Sequence, residues 1–286
     1  MARWWRRIET SKSATVNAPQ LRRHKRRLGH APLVMITAYD EPTARYADGA
    51  GIDILLVGDS LANVALGHAD TLHVSMTDMV HHTAAVAAAR PQAMIVADMP
   101  WLSYHGAPSA AVANAGALIR AGAHAIKLEG GRVRFDAVRA ILDAEIPVVG
   151  HLGLTPQSML AMGGFKVQAK TQDAVDLLLE DALGLQVLGV CAIVIEGVPE
   201  AVGTRVTEAL DIPTIGIGAG PDTDGQVLVI TDVLGLNARP VPKFVRQYAQ
   251  VGEAITAAVQ AYAADVRSGD FPSSAESYPT PDELRH

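Results

Sequence analysis

Ile54-Leu55-Leu56-Val57-Gly58-Asp59-Ser60 sets four branched apolar residues in a row before a glycine, an aspartate and a hydroxyl. A run that short, apolar on both faces, reads as a strand covered on both sides, as in a parallel sheet. The carboxylate arrives where the apolar run stops. The same pattern returns at Ile95-Val96-Ala97-Asp98, Ile126-Lys127-Leu128-Glu129 and Val194-Ile195-Glu196. Four strands that each end in an acid predict strand ends converging on one polar site.

Outward from these runs, the spacing predicts eight short strands, among them 32–39, 147–151, 191–196 and 226–231, most followed by a helix. Helices are expected over 76–89 with Thr77 as cap, over 172–188, and over 244–266 as the last long element. Strand and helix alternating over roughly 250 residues predict the α/β class and a (β/α)8 barrel. The alternative is a doubly wound open sheet, but no G-x-G-x-x-G turn follows the first strand. The expected organisation is a basic leader and N-terminal helix (1–30), a catalytic barrel (31–267) and a Pro/Ser-rich acidic tail (268–286).

Charge is unevenly spread. Residues 1–30 carry nine Lys/Arg against Glu9 alone, leaving 15 basic against 29 acidic residues in the rest. Arg22-Arg23-His24-Lys25-Arg26-Arg27 could be a nucleic-acid patch, and the arginine- and serine-containing start resembles an organelle transit peptide. Because no aromatic-basic module follows and the body is acidic, we read the basic run as a solvated first helix, with no nucleic-acid partner. No apolar run reaches the ~18–20 residues a membrane span needs, so no membrane role is expected. The single Cys191 excludes an internal disulfide and fits a reducing, cytoplasmic compartment.

In a barrel the active site lies at the C-terminal strand ends, which brings Asp59, Asp98, Glu129 and Glu196 to one mouth. Clustered carboxylates repel unless a cation sits among them, and a hard divalent cation such as Mg²⁺ suits an oxygen donor set. Without a His-rich or thiolate set, zinc is not favoured. Each acid taken alone could equally be a helix cap. Lys127 stands two residues before Glu129 on the same strand face, placed to pair an anionic substrate or a neighbouring acid. Ser60 could hold a substrate carboxylate. His151 could be a proton donor or a hydrogen-bonded wall residue. His68, His73, His81 and His82 read as surface or packing residues, and Met159 and Met162 as packing beneath a loop. Gly216, Gly218 and Gly220 read as a phosphate cradle or as room for a flat ring.

Six motifs occur in one order: Thr37-Ala38-Tyr39-Asp40, Leu56 to Ser60, Ala97-Asp98-Met99-Pro100, Lys127 to Gly131, Gly150 to Gln157, and Gly216 to Gly220. From about residue 20 to residue 266 the chain resembles the ketopantoate hydroxymethyltransferase family. That resemblance implies a (β/α)8 barrel of the phosphoenolpyruvate/pyruvate type with an N-terminal helix. It implies Mg²⁺ ligands at Asp59 and Asp98, with Glu129 completing the site directly or through water. It implies oxo-acid contacts from Ser60, Asp98 and Lys127, and a proton acceptor at Glu196. The implied co-substrate is 5,10-methylenetetrahydrofolate, and the implied assembly a homo-oligomer, a decamer of two pentameric rings. The chain departs from the family pattern at Gly197 in Glu196-Gly197-Val198-Pro199, at Gln168-Ala169-Lys170, at His73 and in its tail; none of these is a proposed ligand.

The chemistry then expected is an Mg²⁺-stabilised enolate of 3-methyl-2-oxobutanoate, formed when Glu196 removes the C3 hydrogen, with attack on the folate's methylene carbon giving 2-dehydropantoate. The runner-up is an Mg²⁺-dependent carbon–carbon lyase of the isocitrate lyase/phosphoenolpyruvate mutase type. Those enzymes often carry a loop cysteine, whereas Cys191 opens a strand. A third reading is an oxo-acid or folate binder without activity, against which the four acids and Lys127 argue.

Overall fold

The structure, a computed structural model, describes residues 16–237 and 241–281. The transit-peptide-like start at 1–15 and the end of the tail at 282–286 lie outside the described residues. Eight parallel strands form one closed barrel in sequence order: β1 Leu33–Thr37, β2 Ile54–Val57, β3 Met94–Asp98, β4 Ala125–Glu129, β5 Val148–Gly153, β6 Ala192–Glu196, β7 Thr214–Ile217 and β8 Gly225–Leu228. The expected barrel is therefore present. Helices follow β1 to β6, whereas β7 turns into β8 through a loop.

Alternation along each strand sorts the side chains. Leu33, Met35, Ile54, Leu56, Met94, Val96, Ala125, Val149, Ala192, Val194, Ile215 and Val227 form one buried cluster inside the barrel. The outward residues, such as Leu55, Ile95, Ile126 and Ile193, are buried beneath the helices. With both faces covered, the strands read as unbroken apolar runs.

Several boundaries differ from expectation. β5 runs to Gly153 because Gly153 pairs with Glu196 and the Leu154 N–H donates to the Glu196 carbonyl at 2.7 Å. β8 stops at Leu228, and Thr37 Oγ1 accepts from the Ile230 N–H at 2.9 Å, where a short helix begins. The helix expected over 76–89 is Met76–Ala88; its cap is Ser75, in a capping box with Asp78, rather than Thr77.

The basic segment is not a solvated helix. It forms a helix at Ala18–Arg22 and a single turn at Arg26–Leu28. Between them Lys25 is extended, which sends its ammonium inward. Lys25 is 1 % exposed and donates to Thr207 O (2.9 Å), Ile212 O (3.2 Å) and Asp224 Oδ2 (2.6 Å). Asp224 also accepts from the Arg26 and Thr214 N–H groups. Leu21 joins the interior cluster, and the Arg27 guanidinium bonds Glu208 O in the last turn of the helix Glu200–Ala209, where basic groups suit free carbonyls. This segment seals the N-terminal end of the barrel.

The chain divides into two compact units, the first ending at Ile230 and the second starting at Thr231. In the second, the helix expected over 244–266 spans Val251–Ser268 instead. The Tyr248 and Val251 N–H groups donate to Val233 O and Leu234 O, so the chain ahead of Val251 spends its donors outside a helix. Among the described residues no helix is long and apolar enough to cross a membrane.

Removing one partner of a buried ion pair leaves the other uncompensated, at a cost of about 3–5 kcal/mol. Lys25→Met is expected to lower stability by that amount in urea unfolding of the full chain, while exposed Arg23→Ala changes it by less than about 0.5 kcal/mol. Equal stabilities for the two variants would overturn the role given to Lys25.

Candidate active site

Register sets the site. Asp98 pairs across to Lys127, Glu129 to His151, and Gly153 to Glu196. These residues share strand parity with Val96, Ala125, Val149 and Val194, so they also point into the barrel, one layer above the apolar cluster. Asp59 stands two residues past β2, and its N–H donates to Asp98 Oδ2 at 3.0 Å. Gly58 makes this turn possible, because a Cβ there would lie 2.8 Å from Ser60 Oγ.

The structure thus gathers Asp59, Asp98, Lys127, Glu129, His151 and Glu196 at the C-terminal mouth, with Ser60 beside them. Lys127 Nζ lies 3.0 Å from Asp98 Oδ1 and 3.3 Å from His151 Nδ1. His151 sits between two acids, Nδ1 at 3.3 Å from Glu129 Oε1 and Nε2 at 3.1 Å from Glu196 Oε2. It is therefore more than a wall: it touches the expected proton acceptor. Ser60 Oγ shares a 2.8 Å hydrogen bond with Tyr39 OH, and the Tyr39 carbonyl meets His82 Nδ1 at 2.7 Å. His82 thus supports the site's wall, whereas His68 and His73 stack on each other.

Four carboxylates face two cationic side chains. Burial, then the charges of Asp98 and Glu129, push the Asp59 carboxyl well above its usual range. Burial also raises Asp98, against the pull of Lys127 and the Asp59 N–H. Burial works to lower the Lys127 ammonium, but the surrounding carboxylates overcome it and hold its pKa above the ordinary value. His151 is lowered by burial and by Lys127, yet its contacts with Glu129 and Glu196 carry it up to about 9. Burial keeps the Tyr104 hydroxyl protonated.

Among the described residues no three His, Cys, Asp or Glu side chains gather as a group that could hold a metal ion. The donor set still fits Mg²⁺, which is commonly bound through one or two carboxylates while keeping water and substrate oxygens. Glu129 Oε1 is buried without a hydrogen bond, an oxygen that a cation's water could meet.

Sequence reading missed two residues. Gln157 Nε2 donates to Asp59 Oδ2 (2.8 Å) and Met99 O (2.9 Å), and its backbone N–H donates to Glu129 Oε2 (2.9 Å). Tyr104 OH donates to Gln157 Oε1 at 2.6 Å and accepts the Glu129 N–H at 3.1 Å. The only signal was Gln157's place at the end of the Gly150–Gln157 motif. Gly216 is explained without a phosphate, since a Cβ there would stand 2.7 Å from Thr223 Oγ1.

A sequence model of the family described as ketopantoate hydroxymethyltransferase matches residues 15–274. The protein of Syntrophobacter fumaroxidans named 3-methyl-2-oxobutanoate hydroxymethyltransferase is 56 % identical over 245 residues, 85 % of this chain and 87 % of that one. Its namesake in Moorella thermoacetica is 51 % identical over 264 residues, 92 % and 97 % of the two chains. Among solved structures, 2,3-dimethylmalate lyase, a member of the PEP mutase/isocitrate lyase superfamily, superposes with a TM-score of 0.59 at 18 % identity, covering 92 % of this chain and 91 % of that one. Phosphonopyruvate hydrolase in complex with oxalate and Mg²⁺ gives 0.59 at 14 % identity, covering 91 % and 93 %. At such identities the lyase likeness extends to the fold alone.

A pKa raised above the unfolded value means the charged ring's contribution to stability is complete below about pH 6.5 and lost as pH rises through about 9. ¹H–¹⁵N NMR of the cation-free protein is expected to show both His151 ring nitrogens protonated at pH 7. A His151 midpoint below 7 would refute the placement of its ring between two carboxylates.

Proposed function

The chain belongs to the ketopantoate hydroxymethyltransferase family, and on that premise we propose that it transfers a hydroxymethyl group from 5,10-methylenetetrahydrofolate to 3-methyl-2-oxobutanoate, yielding 2-dehydropantoate on the route to pantothenate. The observation that carries this reading is the inward-facing layer of Asp98, Lys127, Glu129, His151 and Glu196, with Asp59 and Ser60 at its edge.

Asp59 and Asp98 would hold Mg²⁺, with Glu129 completing the site directly or through water, and the cation would supply a Lewis acid toward the oxo acid. The chain's own residues do the rest. Lys127 and Ser60 take the substrate's oxygens, the ammonium meeting negative charge in a water-poor pocket where it counts most. Glu196 is the most accessible of the four acids, its side chain 15 % exposed. His151 fixes Oε2 of Glu196, leaving the other oxygen to remove the C3 proton. The electron pair of the broken C–H bond passes toward the keto oxygen, whose enolate Lys127 stabilises. C3 then bonds to the methylene carbon as one C–N bond to the folate breaks, water displaces the second C–N bond and supplies the hydroxyl, and the C3 proton and one water proton end on the two nitrogens of the departing tetrahydrofolate. The assembly that accompanies this reading is a homo-oligomer of two stacked pentameric rings.

Exchange of the C3 hydrogen for deuterium, followed by ¹H NMR without folate, isolates the first half of the reaction. Asp98→Ala or removal of Mg²⁺ by chelation is expected to abolish exchange. Glu196→Gln is expected to spare oxo-acid binding and slow exchange by about 10²–10⁴-fold. Wild-type exchange in Glu196→Gln would overturn the base assignment, and product formation independent of added folate would favour a lyase.

A further inference from the structure

We infer that Gln157 is a positioning residue that fixes one carboxylate oxygen of Asp59 and one of Glu129 and leaves the other oxygen of each to the divalent cation. The inference rests on the reading above, in which these acids serve a cation.

Gln157 is 4 % exposed and lies in a single turn, Pro156–Ser158, just past β5. From there it reaches three other strand ends: Asp59 after β2, the Met99 carbonyl after β3, and Glu129 at the end of β4. Both side-chain N–H groups and the backbone N–H are used. No other residue type of this length offers two neutral donors and an acceptor at its tip.

The orientation of the amide is set from behind. A tyrosine hydroxyl has one proton. Tyr104 OH accepts the Glu129 N–H, so its proton goes to Gln157 Oε1. That contact marks Oε1 as the acceptor end and turns the NH₂ toward Asp59. A flipped amide would set its carbonyl against the Asp59 carboxylate and the Met99 carbonyl, both acceptors. Tyr104, Gln157, Asp59 and Glu129 thus form one chain of donors with a single self-consistent direction. It holds Asp59 Oδ2 and Glu129 Oε2, whereas Glu129 Oε1 makes no well-formed hydrogen bond and meets the His151 ring nitrogen at 3.3 Å.

The test uses Mn²⁺ as the probe, titrated into the full-length protein without substrate and followed by EPR of the free ion, so that the readout is independent of turnover. Gln157→Met preserves volume but removes every side-chain donor; it is expected to bind Mn²⁺ about 10–100-fold more weakly, the usual scale for groups that orient metal ligands. Tyr104→Phe, which releases the amide and removes the acceptor of the Glu129 N–H but leaves the Gln157 donors in place, is expected to give a smaller loss. In the double variant the loss should equal that of Gln157→Met to within about twofold, because the hydroxyl then has nothing to orient. A merely structural role would leave affinity unchanged and lower only the unfolding midpoint. Mn²⁺ affinity of Gln157→Met within about twofold of wild type, or losses that add fully in the double variant, would overturn the inference. Should Gln157→Met not fold, Tyr104→Phe alone decides, and unaltered affinity counts against. Equal Mn²⁺ binding by wild type and Asp98→Ala, by contrast, would bring down the cation site itself, so the two failures are separable.

Discussion

Side chains alternate along a strand, and in a closed parallel barrel that alternation cannot be altered for one residue without altering it for all. Met94 and Val96 point inward on β3, so Asp98 does too. Ala125 commits Lys127 and Glu129, Val149 commits His151, and Ala192 with Val194 commits Glu196. The parity that builds the dry interior also delivers its charged layer. Placing charges there costs several kcal/mol per ion unless they are paired. Lys127 against Asp98 and His151 between Glu129 and Glu196 are the pairs that make the layer tolerable.

The two ends of the barrel settle their charges differently. At the N-terminal end all three donors of the Lys25 ammonium are used, and both oxygens of Asp224 accept hydrogen bonds. The Lys25–Asp224 network is closed among its own partners, and a closed network of this kind serves rigidity. At the C-terminal end four acids outnumber two cationic groups, and Glu129 Oε1 has only the His151 ring at 3.3 Å rather than a well-formed hydrogen bond. Buried polar atoms are rarely left so poorly matched in folded proteins. The poorly matched end is also the end where barrels of this type place their chemistry.

What could be read from the sequence was what depends on near neighbours. An apolar run closed by an acid is local, so all four strand-end acids were visible, as was Lys127 two positions before Glu129. The length of β5 was not, because Gly153 and Leu154 are held by Glu196, more than 40 residues on. Lys25 looked like one of six basic side chains on a solvated face. Only Asp224, 199 residues on in the chain, reveals why it turns inward. Gln157 was hidden for the same reason: its partners Asp59, Met99, Tyr104 and Glu129 come from three other segments of chain. A neutral amide has no charge pattern to announce it.

That neutrality is itself informative. A lysine or arginine beside Asp59 would also hold its carboxylate and would offset burial more strongly. It would add a third cation to Lys127 and His151, however, and would cancel the negative charge that attracts a dication. The Gln157 amide aligns the Asp59 carboxylate through one hydrogen bond, its second N–H being tied to the Met99 carbonyl, and leaves the carboxylate's charge uncancelled. Lys127, by contrast, faces Asp98, whose other oxygen already takes the Asp59 N–H. The site thus separates two tasks that one cationic neighbour could not perform together: neutral groups orient Asp59 and Glu129 without cancelling their charge, and the one ammonium of the layer balances Asp98.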